Sequence, residues 1–265
     1  MEIYISADIE GIAGIVNWDE TSKWKPDYLP FREEMTKEVQ AACEGANNAG
    51  AKEFWIKDAR GTGRNLDFNG LPSNTKLIRG FSGHPFLMMQ ELDQSFDAVL
   101  MLGYHSCAGS DESPLAHTLK TSIRYIKING EYASEFLINA YTAALVGVPV
   151  VFVSGDIGLC NYIKEFNPNI RTVGVNKGEG DSVISPHPHV VYKDIKTGVQ
   201  EALRGDMQDC RLALPKRFEI ELSFVEHAKA YKGSFYPNMK KISSRELFFE
   251  TNDYFEVLRI LSFVV

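Results

Sequence analysis

The sequence lacks paired cysteines, and this absence excludes two classes of small stabilised fold. Its cysteines, Cys43, Cys107, Cys160 and Cys210, are dispersed along the chain without any Cys-x-x-Cys spacing. Neither a disulfide framework nor a zinc knuckle is therefore indicated. We expect all of these thiols to be reduced and most of them to lie in the core.

The sequence also has fewer basic residues than acidic residues. The chain has 28 Lys and Arg residues against 35 Asp and Glu residues, which gives a formal net charge of -7. No basic tract interrupts this acidic balance. A surface that binds nucleic acid is usually basic, so we expect no nucleic-acid partner.

Long apolar runs are absent as well. No window approaches the roughly 20 apolar residues that a membrane helix needs, so we expect no membrane partner. The amino terminus enters a predicted strand at once, without the basic segment and apolar stretch of a secretion signal. We therefore expect a cytoplasmic protein. With 265 residues, of which 44% are apolar, the chain can bury a substantial core.

Alternating strand and helix signals predict an α/β fold with a mostly parallel central sheet flanked by helices. Residues 3–7 have the composition of a strand, and the apolar runs at 54–56, 98–102 and 148–153 are typical of buried strands. Between the first two of these segments, apolar residues at 31, 35, 39, 42 and 46 share one helical face. Ser134 is a suitable N-cap for a second helix that extends to about residue 146. A hairpin is predicted at 123–128, followed by the turn Asn129-Gly130.

The pattern changes after Pro215. Residues 218–224 alternate between apolar and polar types, as a half-exposed strand does, and the rest of the chain looks α+β. We expect residues 1–215 to form an α/β metal-binding catalytic core. Residues 216–265 should form a smaller α+β C-terminal lobe, either separate or part of the same domain. The apolar ending at 258–265 should be buried in the core or against another subunit.

Two acids directly follow the first strand. Asp8 and Glu10 are two residues apart in an extended segment that ends at Gly11, so their side chains should share one face. The carboxyl ends of strands are where open α/β sheets bind ligands. The pair can therefore offer several oxygens to one divalent cation. The alternative is that the acids cap a helix or face water.

Imidazole and carboxylate groups from later segments could complete a metal site. His105 follows the strand that ends at Gly103, so a parallel sheet would place it on the same edge as Asp8. Glu135 lies at the start of a predicted helix, and His117 lies in a loop where it could exchange a proton. Zinc uses this mixture of ligands in hydrolytic sites. Taken singly, each residue also fits a structural role, as a loop histidine or a first-turn acid.

Several separated segments carry a resemblance to a known family. These segments are Ser6–Gly11, Gly103–His105, Ala116–Thr118, Ile128–Gly130, Ser134–Ala140 and Ser154–Asp156. In this order they resemble the zinc-dependent D-aminopeptidases of the dipeptide-transport operon type. The resemblance covers about the first 160 residues and thins in the C-terminal part.

The resemblance implies a metal-dependent exopeptidase that removes N-terminal D-residues, D-alanine above all, from short peptides. It also implies zinc, with two ions per subunit, and a self-compartmentalising homo-oligomeric ring, for which a decamer is one candidate size. By position, Asp8 resembles the ligand that bridges both metals. Glu10, His105 and Glu135 resemble the other ligands, and His117 resembles the catalytic histidine.

One position departs from the family pattern. After the second strand the family has Asp-Ser-His, with the histidine as a ligand, whereas this chain has Asp58-Ala59-Arg60. Arginine stays protonated and offers no lone pair, so it cannot bind zinc. The site could hold one zinc ion instead of two, or Arg60 could turn away while water or Asp58 completes the shell. Alternatively, Arg60 could pair with Asp8 and Glu10 and substitute its charge for a metal.

Two other function classes stay open. A magnesium-dependent phosphohydrolase of the haloacid dehalogenase type needs Asp-x-Asp-x-Thr, whereas the later positions here are Glu10 and Ile12. Imidazole ligands also suit zinc better than magnesium. A metal-depleted binding or assembly protein of the same fold is the second alternative, and Arg60 motivates it.

Overall fold

The computed structural model describes residues 1–265 and contains twelve strands and six helices. The strands are β1 Glu2–Ala7, β2 Glu53–Asp58, β3 Thr75–Ile78, β4 Ala98–Tyr104, β5 Ile123–Ile128, β6 Glu131–Tyr132, β7 Val150–Asp156, β8 Arg171–Glu179, β9 Ser182–Ile184, β10 Phe218–Phe224, β11 Lys240–Lys241 and β12 Glu246–Thr251. The helices are α1 Tyr28–Asn48, α2 Glu135–Val146, α3 Ile157–Phe166, α4 Pro188–Arg204, α5 His227–Gly233 and α6 Tyr254–Val264.

A seven-stranded sheet forms the centre of the molecule, and β1 lies near its middle. The strand order is β3-β2-β1-β4-β7-β8-β9, and only the pair β8 and β9 is antiparallel. From β1 the chain moves outward through β2 and β3, and then returns to β4 on the opposite side of β1. Such a reversal opens a crevice at the carboxyl ends of the two strands. The predicted α/β class with a mostly parallel sheet is confirmed.

A second sheet is antiparallel, with the order β11-β12-β10-β5-β6. The predicted hairpin is present, and Asn129 and Gly130 form its turn with φ of 54° and 85°. This sheet takes β5 and β6 from before residue 215 and its other strands from after it. The division into a core at 1–215 and a lobe at 216–265 stays a prediction.

The apolar strand residues form one continuous core with the helices. Helices α1 and α4 pack together, and Gly45 lies so close to α4 that a Cβ there would be 2.2 Å from the carbonyl oxygen of Lys196. In the apolar ending, Leu258 and Ile260 are buried, whereas Phe263 is 72% exposed. None of the helices combines the length and the apolar character that crossing a membrane requires.

The sequence did not predict α3, β8 or β9. Strand β8 contains Gly174 and Gly178, and glycine weakens the sequence pattern of a strand. The packing explains the first of them, because a Cβ at Gly174 would lie 2.8 Å from the side chain of Ile157. The close packing of α3 against β8 therefore requires glycine at position 174. Glycine has low strand propensity, so the strand is difficult to predict from the sequence.

A buried acid on α1 supports the loop that follows β1. The Oε1 atom of Glu38 accepts a hydrogen bond from the backbone nitrogen of Ala13 at 2.7 Å, whereas its Oε2 atom has no partner. Burial raises the pKa of Glu38 from 4.5 to about 8. The folded protein therefore keeps this carboxyl group protonated at neutral pH.

We predict that Glu38→Gln flattens the pH dependence of stability. The native state holds the Glu38 proton between pH 4.5 and about 8, so the free energy of unfolding should fall as the pH rises through this range. The slope for one proton is at most about 1.4 kcal/mol per pH unit. Glutamine keeps the acceptor for Ala13 and cannot ionise, so the variant should exceed the wild type in stability at pH 8.

Urea unfolding between pH 5 and pH 8.5 measures this effect. Glu33→Gln, on the exposed side of the same helix, is the matched control and should leave the slope unchanged. Parallel curves for the wild type and Glu38→Gln would contradict the prediction.

Candidate metal centre

The loop after β1 lies directly against the end of β4. Two backbone hydrogen bonds of 2.8 Å join the amides of Asp8 and Gly11 to the last residues of β4. A Cβ at Gly11 would lie 1.8 Å from the carbonyl oxygen of Tyr104, so this position requires glycine. The close approach brings Asp8 and Glu10 beside His105, as the parallel sheet predicts.

All of the predicted site residues converge in one buried cluster. Its members, each at most 5% exposed, are Asp8, Glu10, His105, His117 and Glu135. The Nε2 atom of His105 lies 3.7 Å from Oδ2 of Asp8 and 3.5 Å from Oε2 of Glu135. The Nε2 atom of His117 lies 3.7 Å from Oε1 of Glu135. Four separate chain segments therefore meet at the carboxyl edge of the sheet.

Backbone carbonyl groups set the orientation of both imidazole rings. Nδ1 of His105 lies 3.0 Å from the carbonyl oxygen of Ser106, and Nδ1 of His117 lies 2.9 Å from that of Leu115. A carbonyl oxygen only accepts hydrogen bonds, so each Nδ1 carries the hydrogen. Nε2 of each ring therefore faces the carboxylates, and this nitrogen would present its lone pair to a metal once it carries no proton. The rings stack with centroids 4.3 Å apart.

Helix α2 positions Glu135. The predicted N-cap is confirmed, because Oγ of Ser134 accepts a hydrogen bond from the backbone nitrogen of Leu137 at 3.2 Å. Glu135 is the first residue of the helix, and its Oε1 atom accepts a hydrogen bond of 2.7 Å from the amide of Leu119. Its Oε2 atom remains directed towards His105.

The distances and the unpartnered atoms fit a divalent ion. Tetrahedral zinc binds its ligands at about 2.0–2.2 Å, which places neighbouring donor atoms roughly 3.3–3.6 Å apart. The separations of 3.7 and 3.5 Å from Nε2 of His105 to Asp8 and Glu135 are close to this range. Nε2 of His105 is buried and has no hydrogen-bond partner. Nε2 of His105 therefore lies at ligand-to-ligand distance from both Asp8 and Glu135, and imidazole and carboxylate are donor types that zinc uses.

The electrostatics of the cluster show an excess of buried negative charge. Burial and the neighbouring Glu10 carboxylate raise the pKa of Asp8 well above its usual value. Burial opposes the charge on His105, but the carboxylates of Glu135 and Glu10 outweigh it and raise the pKa of His105 to about 9. Burial also opposes ionisation of Glu135, but the charge of His105 lowers the pKa of Glu135 to about 2. Burial and His105 lower the pKa of His117, which favours its neutral form.

Arg60 faces the cluster and does not turn away from it. Its Nη1 atom forms an ion pair with Oε1 of the fully buried Glu10, and its Nη2 atom donates a hydrogen bond of 3.0 Å to Oγ1 of Thr21. Asp58 does not join the cluster. Its carboxylate accepts hydrogen bonds from Asn65 and from the following amide, and so it organises the loop after β2.

A pocket of about 850 Å³ opens beside the cluster. Asp8, His117 and Glu135 contribute to its wall, together with Arg60 and apolar side chains that include Trp18. The sequence analysis missed Trp18, whose ring lies edge-on to His117 at 5.1 Å. It also missed Thr21, the partner of Arg60. The pattern Asn17 to Glu20, which forms a capping box, was the available signal for a turn at this point.

Carboxylates and imidazoles that meet beside a pocket are typical of metal-dependent hydrolases. The model of the family Peptidase_M55, D-aminopeptidase, matches residues 1–263, and the chain belongs to this family. The resemblance found in the sequence is thereby confirmed. Membership supports an aminopeptidase, and therefore a hydrolase, and it gives no support to the phosphohydrolase alternative.

Individual relatives agree with this membership. A D-aminopeptidase of Bacillus subtilis (strain 168) is 27% identical over 263 residues, which cover 98% of this chain and 95% of the relative. The solved structure of the Zn-dependent D-aminopeptidase DppA from Bacillus subtilis, described as a self-compartmentalizing protease, superposes with a TM-score of 0.93 at 26% identity. The superposition covers 100% of this chain and 96% of that one. The two chains therefore share the whole fold.

We predict that zinc raises the melting temperature of the metal-free protein and that His105→Ala removes most of this effect. A ligand at 100 times its Kd stabilises the folded state by about 2.7 kcal/mol. For a chain of this size, this corresponds to a shift of roughly 5–11 °C. Differential scanning fluorimetry after treatment with a chelator, with and without added zinc, measures the shift.

His227→Ala is the control, because His227 is exposed at the start of α5 and does not belong to the cluster. It should keep the full response to zinc. An equal shift in His105→Ala and the wild type would show that zinc binds elsewhere.

Proposed function

We propose that the chain is a zinc-dependent aminopeptidase that hydrolyses N-terminal D-amino acids, D-alanine above all, from short peptides. The observation that carries the proposal is the buried imidazole of His105, whose unpartnered Nε2 atom lies 3.7 Å from Asp8 and 3.5 Å from Glu135. Membership of the D-aminopeptidase family and the Zn-dependent relative from Bacillus subtilis support the choice of reaction and metal.

Asp8, His105 and Glu135 would hold the ion, and Glu10 lies next to them. When bound, zinc lowers the pKa of a coordinated water towards about 7 and polarises the scissile carbonyl group. The chain's own residues orient the substrate and move the protons. The protein would hold one or two zinc ions per subunit.

The pocket offers polar groups for both ends of a short peptide. The carboxylate oxygens of Asp8 and Glu135 line its wall and can accept hydrogen bonds from a free amino group at the peptide's N-terminus. The exposed Lys120 provides positive charge in the same wall, which suits a C-terminal carboxylate. Its volume of about 850 Å³ is within the range of small-molecule sites.

His117 is placed to transfer a proton. Its hydrogen bond to the carbonyl group of Leu115 leaves Nε2 as an acceptor that faces Glu135 and the pocket. Its lowered pKa keeps the ring neutral, so it can take a proton from the attacking water and pass it to the leaving amine. Stacking on His105 and the edge contact with Trp18 restrict the motion of the ring.

We predict that His117→Ala lowers turnover of a D-alanyl dipeptide by roughly 100- to 10,000-fold, the usual contribution of a general acid–base group. Zinc content should remain at the wild-type level, because Asp8, His105 and Glu135 are retained. Release of D-alanine and metal analysis of the same samples measure both quantities.

His227→Ala should retain both activity and zinc. The corresponding L-alanyl dipeptide serves as the substrate control and should be cleaved much more slowly. A folded, zinc-free and inert wild type would favour the metal-depleted binding protein instead, and unchanged turnover in His117→Ala would remove this residue from the mechanism.

We also propose that the chain forms a homo-oligomeric ring. The self-compartmentalizing relative supports this proposal. Helices α5 and α6 pack together, since Gly233 lies against Val264. Tyr231 on α5, Phe235 in the turn after α5 and Phe263 on α6 are exposed aromatic side chains. Phe235 and Phe263 are 71% and 72% exposed in the single chain, so contact with a second copy would remove apolar surface from water.

We predict a molar mass well above the 29.7 kDa of one chain when the protein is measured by size exclusion with light scattering. Phe235→Ser should shift the population towards smaller species. Lys232→Ser, a change at an exposed position three residues earlier in the chain, should not. A wild type that elutes as a monomer at micromolar concentration would reject the ring.

A further inference from the structure

The cluster contains two overlapping groups of potential ligands. The donor atoms of Asp8, Glu10 and His105 all lie within 4.8 Å of one another, and so do those of His105, His117 and Glu135. His105 belongs to both groups. By geometry alone, the carboxyl edge of the sheet offers positions for two neighbouring cations.

Arg60 already provides a cation at one of these positions. Its guanidinium group contacts Glu10, which belongs to the first group only. Neither oxygen of Glu10 accepts a hydrogen bond, so the ion pair with Arg60 is the interaction that compensates this fully buried carboxylate. A divalent ion bound through Glu10 would have to displace the guanidinium group or tolerate its charge at contact distance.

The surroundings of Arg60 hold the guanidinium group in this position. Oγ1 of Thr21 accepts a hydrogen bond from Nη2, and the guanidinium group lies 5.8 Å from the ring centre of Trp18. Trp18 and Thr21 belong to a short helical turn that the capping box of Asn17 and Glu20 stabilises. Arg60 is therefore anchored on one side by this turn and on the other by Glu10.

The formal charges of the cluster favour one metal ion. Asp8, Glu10 and Glu135 carry three negative charges when ionised, and Arg60 balances one of them. One divalent ion balances the other two while both imidazoles remain neutral. A second divalent ion would leave a buried excess of positive charge beside Arg60, which a buried site does not tolerate without further partners.

We propose that the site binds a single divalent ion per subunit, with His105 and Glu135 among its ligands, and that Arg60 takes the place of a second ion as a permanent positive charge. The proposal rests on the metal dependence proposed above. It implies that a chelator removes only one positive centre and that the charge beside Glu10 persists in the metal-free protein.

The test is a zinc count on the full-length protein. The metal-free protein is titrated with zinc by calorimetry, and bound zinc per subunit is measured by atomic emission after desalting. We expect one ion for the wild type and two for Arg60→His, which removes the charge and supplies a ligand. Arg60→Lys keeps the positive charge and should remain at one.

Arg64→His is the matched control. It makes the same chemical change four residues along the same loop, where the arginine is exposed, and it should leave the count at one. A count of two in the wild type overturns the proposal, and this result does not depend on the folding of any variant. A count of one in a folded Arg60→His also overturns it, as does a count of zero in the wild type.

Measurement of D-alanyl dipeptide cleavage on the same samples separates this inference from the proposed function. A wild type with one zinc ion and no cleavage would reject the peptidase function and leave the single-ion site in place. A wild type with two zinc ions that cleaves the peptide would reject the single-ion site alone.

Discussion

The close backbone approach between the loop after β1 and the end of β4 determines the position of the whole candidate centre. A Cβ at Gly11 would lie 1.8 Å from one carbonyl oxygen of β4, and a Cβ at Gly103 would lie 2.3 Å from the carbonyl oxygen of Asp8. Gly103 also has a φ of +68°, which side chains rarely adopt. Both glycines are therefore needed for the acids after β1 to reach His105, and backbone hydrogen bonds fix the loop that carries these acids directly to the end of β4.

Buried charge is the second constraint. A carboxylate in the interior is destabilising unless a cation or hydrogen-bond donors compensate it, and removal of one partner from a buried pair typically costs about 3–5 kcal/mol. Arg60 compensates Glu10, and the Leu119 amide with the two imidazoles surrounds Glu135. Asp8 accepts only the neighbouring amide of Ile9. Buried acids that are close together lower the stability of the folded protein at the cluster. Such local destabilisation is common at functional sites, including sites that bind a cation.

Local rules were sufficient for several parts of the site. The apolar runs placed Asp8 after β1 and His105 after β4 at the same edge of the sheet. The extended segment predicted through Glu10 is not present, because β1 ends at Ala7 and Glu10 lies in a turn. The N-cap Ser134 set the start of α2 and hence the position of Glu135. The same rules failed for β8, because the glycines that allow it to pack against α3 remove the strand signal. They also left open whether Arg60 turns away from the site or pairs with Asp8 and Glu10.

The sequence by itself determined the chemical types of the candidate ligands, the strand ends after which Asp8 and His105 come and the presence of an arginine where the family resemblance predicts a histidine. These properties follow from side-chain chemistry and short-range periodicity, which act over a few residues. Only the tertiary structure decided that Arg60 points at Glu10 and that Thr21 and Trp18 hold it there. It also decided that the Nε2 atoms of both histidines face the carboxylates. These contacts join residues as far apart in the chain as Asp8 and His105, which are separated by 97 positions. Their geometry depends on how the sheet and its loops pack, which no local pattern encodes.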